Sequence, residues 1–330
     1  AVRTGDELAP TGRSAPGVRS DPEMAEDTEE EVVAAEAAEE SDDASYYKCR
    51  GKKCKYQAKV AWEGPCPRCG IWFNAVKRGR EHDKRTSLDE IPDEPTAYIS
   101  TNIPEFDLVL GGGLVTGSAV ALYGPPGTGK STLFMMTCAG FAADRKRCLY
   151  ASAEETNKDI GKIAHRLGIP SEHRKRIAPL GEAEDFEQIM EACAEKKPHL
   201  AVIDSISTLT RADTGGSEGS NEQIKALVQG FTWYGKKYGT IFLIVFQVNA
   251  AGGAAGARTA IHAVDTVINF DRYVDNDNFD NDGEVIEGAP DIRILTSEKN
   301  RNGKEGVTAK MEMTDKGLIP VKRKSKLYSV

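Results

Sequence analysis

The sequence has no apolar run long enough to cross a membrane. A spanning helix needs about 18 or more mostly apolar residues, whereas the best run here is "IFLIVF" at 241–246. The amino terminus, "AVRTGDELAP", also lacks the apolar segment of a secretory signal. These absences predict a cytoplasmic protein without a membrane partner, and the run at 241–246 is typical of a buried strand.

Positive charge is missing from residues 21–43, which carry twelve Asp and Glu and no Lys or Arg. Residues 1–45 also contain no aromatic residue, so they have little to bury, and we predict a disordered acidic leader. By contrast, residues 46–85 carry twelve Lys and Arg against three acidic residues. Such a basic patch suggests a polyanion partner, although a run of charge is often only a solvated face.

Cysteine is scarce, and four of the seven cysteines fall within residues 46–77. Their spacing is C-x4-C-x11-C-x2-C, formed by Cys49, Cys54, Cys66 and Cys69. Four thiolates at this ribbon-like spacing can close a tetrahedral Zn²⁺ shell without an open catalytic position. We therefore predict a four-Cys zinc finger over 46–77, with iron–sulfur ligation or two disulfides as alternatives. The finger could contact a phosphate backbone or act as a protein–protein hinge.

A polar linker over 78–95 leads into an alternation of strands and helices, predicted as one core over 96–330. Apolar runs that predict buried strands lie at 119–124, 147–153, 200–205, 241–247 and 266–271. Amphipathic stretches between them lie at about 131–143, 156–167, 184–196 and 221–238. This order predicts an α/β fold with a largely parallel sheet covered by helices. The segments "DIRILTSEKNR" and "GVTAKMEMTDKGLIPV" predict antiparallel edge strands.

The stretch "GPPGTGKST" at 124–132 follows a predicted strand and opens a predicted helix. It matches the phosphate-loop pattern G-x-x-x-x-G-K-[ST], whose backbone amides cradle phosphates at a helix N-terminus. Lys130 is expected to reach the β- and γ-phosphates of ATP, and Ser131 to bind Mg²⁺. The predicted nucleotide-binding residues are Gly124, Gly127, Thr128, Gly129, Lys130, Ser131 and Thr132.

Polar residues at other strand ends complete a predicted catalytic set. Asp204 ends the run "LAVIDS" and is a candidate Mg²⁺ partner, or a solvated strand-end acid. The residue after it is Ser205, so a water-activating carboxylate must come from elsewhere, and Glu154 in "ASAEET" is the candidate base. A helix-start acid is the alternative, and it suits Glu155 better. Gln247 could sense the γ-phosphate or be an ordinary strand-end amide.

Together these residues resemble the bacterial RadA (Sms) family, RecA-superfamily DNA motors with an N-terminal four-Cys finger. The resemblance covers about residues 46–322 and includes "AWEGPCPRCGIWFN", "LYASAEET", "LAVIDSISTL", "HAVDTVINF" and "EKNRNG". It implies a RecA-like ATPase core and a ring, of hexameric type, or a filament. It also implies binding to single-stranded and branched DNA, with branch migration driven by ATP. A recombinase or replication protein is a further expected partner, through the finger or the acidic leader.

The resemblance also implies roles for particular segments. Lys130 and Ser131 correspond to the Walker A pair, Asp204 to the Walker B acid and Glu154 to the general base. Residues 210–221 and 249–262 stand where two DNA-binding loops are expected, with Arg211 and Arg258 as the expected contacts or as plain solvated arginines.

One interpretation of Lys299 and Arg301 in "EKNRNG" is that they are two solvated charges. In related ring ATPases such a strand-borne pair reaches the neighbouring protomer's γ-phosphate, and we expect the same here.

The sequence departs from the family pattern at several places. The first knuckle of the finger has x4 instead of x2, and "FQVNAAGG" replaces the usual His and Lys. An acidic insert occupies 271–288, and Asn302 replaces the usual Phe of the family's KNRFG motif. We also expect residues 1–330 to lack the family's C-terminal Lon-protease-like domain. A DNA motor is the leading hypothesis. The alternatives are a strand-exchange recombinase, a recombination mediator that uses ATP as a switch, and a KaiC-like signalling ATPase.

Overall fold

The computed structural model describes residues 46–49, 54–58, 65–70, 75–78, 95–247, 262–273 and 290–321. The predicted acidic leader, most of the linker, most of the second loop with Arg258 and most of the acidic insert lie outside these ranges. Predictions about those segments and their boundaries therefore stay predictions. Within the described ranges, no helix combines the length and apolarity needed to cross a bilayer.

The cysteine-bearing segment forms a small antiparallel sheet of three strands in the order β2-β1-β3. These strands are β1 (Tyr46–Cys49), β2 (Gln57–Ala58) and β3 (Ala75–Arg78). Among the described residues of this segment, the buried apolar side chains are those of Cys49 and Cys66. A segment of about 30 residues is too short to form a sizeable core of its own, so another source of stability is expected.

The core contains a nine-stranded sheet and a separate two-stranded one. The small sheet pairs β4 (Tyr98–Ile99) with β5 (Leu114–Val115). The strands of the large sheet are β6 (Ala119–Tyr123), β7 (Cys148–Ser152), β8 (Ile177–Leu180), β9 (Leu200–Asp204), β10 (Ile241–Phe246), β11 (Thr266–Arg272), β12 (Ile292–Asn300), β13 (Thr308–Thr314) and β14 (Gly317–Pro320).

The large sheet has the order β14-β13-β12-β11-β6-β10-β9-β7-β8. Strands from β11 to β8 in this order pair in parallel, and β12, β13 and β14 add an antiparallel edge. The predicted α/β class, with a largely parallel sheet, is confirmed. Because parallel strands run the same way, their carboxyl ends meet along one edge.

Helices cover both faces of this sheet. They are α1 (Pro104–Leu110), α2 (Lys130–Ala143), α3 (Asn157–Arg166), α4 (Ser171–Arg174), α5 (Phe186–Lys196) and α6 (Asn221–Tyr238). Three starts carry side-chain caps, because Thr156, Asp185 and Ser220 each accept a bond from the amide three residues later. Helix α6 ends at Gly239, whose φ of 77° is left-handed.

The central strands are buried on both faces, which explains their continuous apolar sequence. Along β10, Leu243 packs into the layer covered by α1, α2 and α3, whereas Ile244 packs into the layer covered by α5 and α6. Sequence periodicity located these strands and the four long helices to within two residues. It missed α1, α4, β4, β5 and the edge strand β8, which are short, and β8 contains Pro179.

Candidate active site and metal centre

The carboxyl ends of β6, β7, β9 and β10 form one edge of the sheet, here termed the catalytic edge. The phosphate loop follows β6, and Glu154 lies two residues beyond the end of β7. Asp204 is the last residue of β9, and Gln247 comes directly after β10. In doubly wound α/β folds, ligands bind at such an edge.

The phosphate loop is packed so closely that its glycines are required. A Cβ on Gly124 would lie 1.8 Å from the carbonyl oxygen of Phe270 in β11. Gly127 and Gly129 have φ angles of 73° and 99°, a region that other residues rarely adopt. Thr128 is fully buried, and its hydroxyl donates to the carbonyl of Pro125 at 3.0 Å. The predicted strand–loop–helix context of the loop is present.

Lys130, the first residue of α2, folds back over the loop. Its Nζ donates to the carbonyls of Gly124 at 2.9 Å and Pro125 at 2.8 Å. Burial lowers the pKa of Lys130, while the nearby carboxylates of Asp204 and Glu154 act in the opposite direction. The ammonium group is thus held within the loop that it is predicted to serve.

Asp204 accepts two hydrogen bonds on the same oxygen. Ser131 Oγ donates to Oδ2 at 2.6 Å, and the hydroxyl of Tyr150 donates to it at 2.9 Å. Tyr150 is fully buried, and burial followed by the charge of Asp204 raises the pKa of its hydroxyl, so it remains a donor. A hydroxyl beside a carboxylate is the pair that holds Mg²⁺ in phosphate-loop enzymes, so the residues fit this cation.

The predicted base and the predicted sensor are hydrogen-bonded to each other. Gln247 Nε2 donates to Glu154 Oε1 at 2.8 Å, and the hydroxyl of Ser205 lies 3.4 Å from the same oxygen. Glu155, interpreted from the sequence as a helix-start acid, instead lines the nucleotide-sized cavity described next. Burial, followed by the charge of Asp204, raises the pKa of Glu155.

A cavity of about 590 Å³ opens beside the phosphate loop, within the usual size range of small-molecule sites. Its far wall comes from α3 and β13 through Ile163, Arg166 and Met313. The guanidinium of Arg166, at the end of α3, donates to Thr132 Oγ1 in α2 and to the carbonyl of Asp315 just after β13, both at 3.0 Å. Sequence reasoning missed this wall because its residues lie far apart along the chain and match no local motif.

Arg211, the expected DNA contact of the first loop, has several partners within the protein. Its side chain is only 14% exposed and donates to Asp213 Oδ2 at 3.0 Å and to the carbonyl of Ala226 at 3.0 Å. The guanidinium also lies 4.7 Å from the ring centre of Phe186. Gln223 accepts from the Arg211 amide at 2.9 Å. These contacts indicate that Arg211 anchors the base of segment 210–221, and its contact with DNA stays a prediction.

Lys299 and Arg301, termed here the cation pair, both point at the segment that emerges from the second loop. Lys299 Nζ donates to the carbonyls of Val264 at 2.7 Å and His262 at 3.3 Å. Arg301 lies 3.3 Å from Asp265 Oδ1 and also donates to the carbonyl of His262. Burial and the neighbouring Arg301 lower the pKa of Lys299. Neither residue is among the described residues that line the chain's own 590 Å³ cavity.

The four predicted metal ligands form a compact group, termed the cysteine cluster, with all four sulfurs within 4.8 Å of one another. The sulfurs of Cys49 and Cys69 are 3.6 Å apart, and those of Cys54 and Cys66 are 3.9 Å apart. A tetrahedral Zn²⁺ with bonds of about 2.3 Å places its sulfurs about 3.8 Å apart. These separations are far longer than the about 2.05 Å of a disulfide bond, so the four sulfurs fit Zn²⁺ better than two disulfides.

With this geometry established, comparisons with known proteins place the chain in a family. Residues 84–253, just over half of the chain, match the family model described as AAA domain. The chain belongs to this family and carries a P-loop ATPase fold with a RecA-like sheet. Its curated relatives are more specific: they carry the name DNA repair protein RadA, which confirms the resemblance seen in the sequence.

RadA from Rickettsia bellii is 34% identical over 280 residues, covering 81% of this chain and 58% of that protein. RadA from Listeria monocytogenes is 32% identical, covering 83% of this chain and 59% of the relative. RadA from Escherichia coli is 31% identical, covering 81% and 58% respectively. The chain therefore spans about three-fifths of the length of these curated relatives.

Two solved structures share the fold. The RadB recombinase matches 68% of this chain and 99% of its own chain, with a TM-score of 0.51 and 22% sequence identity. A KaiC-like protein from Pyrococcus horikoshii matches 69% of this chain and all of its own, with a TM-score of 0.54 and 18% identity. At these identities the likeness concerns the fold alone, and it confirms the predicted RecA-like core.

Proposed function

We propose that this chain is a RadA-type, DNA-dependent ATPase that acts in homologous recombination and repair. In this proposal ATP hydrolysis drives movement along single-stranded or branched DNA. The observation that carries it is the convergence of the phosphate loop, Asp204, Glu154 and Gln247 at the catalytic edge. The relatives named DNA repair protein RadA support the DNA-related part.

Nucleotide binding begins with the phosphate loop and Lys130. The lysine donates to two backbone carbonyls of its own loop. A phosphate oxygen carries negative charge and is a stronger acceptor than a carbonyl, so ATP would draw the ammonium group from these carbonyls to its phosphates. Ser131 and Asp204 would hold Mg²⁺, which supplies charge neutralisation at the phosphates.

Hydrolysis requires a base that orients the attacking water, and Glu154 takes this role in the proposal. The amide of Gln247 holds the Glu154 carboxylate without neutralising its charge. The same amide can donate to a γ-phosphate, and doing so would release Glu154 Oε1 towards water. Gln247 thereby links the presence of the γ-phosphate to the availability of the base.

The cation pair completes the site from a second protomer. Both side chains lie at the end of β12 and are directed at residues 262–265, away from the chain's own cavity lining. Cations that stabilise the charge on a transferring phosphoryl group are commonly supplied in trans. A ring or filament of this chain would bring the pair of one protomer to the phosphate loop of the next.

DNA binding is assigned to the basic cysteine-bearing segment and to the two loops. In the described part of that segment, Lys55 and Arg68 are exposed and sit beside the cysteine cluster in sequence. Zinc bound by the four thiols would hold this basic surface in shape, so that it contacts a phosphate backbone. Arg258 remains the expected contact in the second loop.

The proposal is tested by measuring ATP turnover and particle mass with and without single-stranded DNA. We expect DNA to bind, to raise turnover and to favour a larger assembly. DNA that neither binds nor accelerates hydrolysis would contradict the DNA-dependent function while leaving the ATPase fold intact.

Strand exchange is the second candidate. Gln247, which stands at the end of β10 and contacts the base, resembles RecA itself at a position where the RadA family usually has His. A joint-molecule assay separates the candidates, since a motor extends an existing branch without starting one. Retained partner binding with negligible turnover would instead favour a mediator.

A further inference from the structure

Arg293 in β12 is a charged residue with only 2% of its surface exposed. Burying a charge is costly unless the group is paired and hydrogen-bonded. Its burial beside the phosphate loop therefore needs an explanation. Arg293 belongs neither to the phosphate-loop motif at 124–132 nor to the predicted catalytic residues.

The partners of Arg293 lie on two sides of its guanidinium group. Nε donates to the carbonyl of Thr128 in the phosphate loop at 2.8 Å. The two terminal nitrogens form a bidentate pair with the carboxylate of Asp291, with Nη2 donating to Oδ2 at 2.8 Å. Hydrogen bonding from Arg293 lowers the pKa of Asp291, so the pair stays ionised. The guanidinium thus joins the loop to the rim of the cavity, which Asp291 lines.

The bond to Thr128 fixes the orientation of one peptide group. A trans peptide is planar, and its C=O and N–H point in opposite directions. The carbonyl of Thr128 is directed inwards to the buried Arg293, so the N–H of Gly129 is directed the other way. Thr128 is fully buried, whereas Gly129 lines the cavity. The N–H of Gly129 therefore faces the space where phosphate is expected.

We propose that Arg293 is a positioning residue for phosphate binding, which holds the Thr128–Gly129 peptide so that the Gly129 N–H is presented to the nucleotide. The bond from a cation also polarises this peptide and makes its N–H a stronger donor. The role rests on ATP binding at the loop and is independent of the proposed action on DNA.

Gly129 makes such an external restraint necessary. Its φ of 99° lies in the left-handed region, and glycine explores a wider range of backbone conformations than other residues. Thr128 has its own hydroxyl bonded to Pro125, which holds the side chain but makes no bond to the Thr128–Gly129 peptide itself. Arg293 supplies the missing restraint from a different strand.

A purely structural role, in which Arg293 only attaches β12 to the core, makes a different prediction. It would lower the melting temperature of the nucleotide-free protein and leave the affinity of the folded protein unchanged. The two roles are separated by measuring both quantities on the same variants, with MgATP and inorganic pyrophosphate as ligands. Pyrophosphate reports the phosphate cradle without any contribution from the nucleoside.

The test uses Arg293→Met, an unbranched side chain without hydrogen-bond donors; the carboxylate of Asp291 that it leaves unpaired is 56% exposed, so water can solvate it. Loss of one well-oriented donor to a charged ligand predicts about tenfold weaker binding of both MgATP and pyrophosphate. Arg293→Lys keeps the positive charge and one possible hydrogen bond. It cannot bond Thr128 and hold Asp291 in a bidentate pair at the same time, so we expect an intermediate affinity. If Arg293→Met does not fold, the folded Lys variant alone still decides the question.

Arg147→Met is the matched control, because the Arg147 guanidinium also donates to backbone carbonyls, those of Lys196 and Lys197, both at 2.9 Å. These bonds lie outside the cavity lining, so binding should not change. Equal affinities in wild type and folded Arg293→Met would overturn the inference, as would an equal loss in Arg147→Met. Failure of the wild-type chain itself to bind MgATP would instead refute the proposed ATPase function.

Discussion

At the catalytic edge, Asp204, Glu154 and Gln247 lie at or just beyond the ends of strands that are buried on both faces. At the cysteine cluster, the four sulfurs sit on or near strands of two to four residues, and the buried apolar side chains described there are two of the cysteines themselves. The packed sheet holds Asp204 and Glu154 in hydrogen bonds with Ser131, Tyr150 and Gln247. The cysteine cluster, in contrast, is expected to take its stability from a bound metal ion.

The two sites should therefore respond differently to damage. Changes at the catalytic edge should remove chemistry and spare the fold, whereas loss of metal should remove the fold of the small segment and spare the chemistry of the core. The cation pair is not part of the catalytic edge, because it lies at the carboxyl end of antiparallel β12, at the opposite end of the sheet, and is proposed to act on another protomer. Four experiments probe this contrast, in order of their expected effect on ATP turnover.

The largest effect is expected for Lys299→Ala. If the pair stabilises charge on the neighbour's γ-phosphate, turnover should fall by about 10³-fold or more while nucleotide binding is retained. Mixing this variant with Lys130→Ala should restore turnover, because an intact loop then meets an intact cation pair at mixed interfaces. Lys304→Ala, which removes an exposed lysine three residues beyond Arg301, is the control and should retain activity. No recovery on mixing would contradict action in trans.

The next effect is expected for Glu154→Gln. The variant keeps the shape of the side chain but cannot accept a proton, so turnover should fall by about 10²- to 10⁴-fold. The melting temperature should be almost unchanged, because position 154 is exposed. The amide oxygen of the substituted Gln can also still accept the hydrogen bond from Gln247. Glu155→Gln is measured in parallel and should cause a smaller loss. A larger loss at Glu155 would transfer the role of base to that residue.

A moderate effect is expected for Tyr150→Phe, which removes one of the two bonds to Asp204 Oδ2. Losing one hydrogen bond of about 0.5–1.5 kcal/mol should raise the Mg²⁺ concentration needed for half-maximal turnover by several-fold. Tyr234→Phe removes the hydroxyl of another buried tyrosine, in α6, and should leave the Mg²⁺ requirement unchanged. An unchanged requirement in Tyr150→Phe would mean that Ser131 alone positions the carboxylate.

The smallest effect on basal turnover is expected for removal of zinc. Chelation or Cys54→Ser should abolish metal binding and unfold the small segment, which calorimetry and metal analysis would detect. The melting transition of the core and its DNA-independent turnover should persist. Cys193→Ala gives the opposite pattern, because this buried core cysteine should affect the core transition without changing metal content. A core that melts together with the segment would show that the two regions are not independent.

The sequence was informative wherever a feature depends on neighbours along the chain. The phosphate loop, the strand-end positions of Asp204 and Glu154 and the cysteine spacing are local patterns, and the structure brings the corresponding atoms together. Alternation of apolar runs with amphipathic stretches was enough to predict the sheet and its helices. The antiparallel edge was also predictable, because its strands follow one another closely.

The remaining features depend on contacts between distant segments. Tyr150 reaches Asp204 only because β7 and β9 are neighbours in the sheet, and Arg166 meets Asp315 across 149 positions. Arg211 resembles a solvated loop arginine in sequence, but its guanidinium packs on Phe186 and bonds within the protein. No local pattern distinguishes such an arginine from an exposed one.

Strand β12 carries Arg293 near one end and the cation pair at the other. Six residues of extended chain separate Arg293 from Lys299, a distance of about 20 Å along one strand of a packed sheet. If the cation pair contacts a neighbour's nucleotide, as proposed, a single strand would then join that nucleotide to the chain's own phosphate loop.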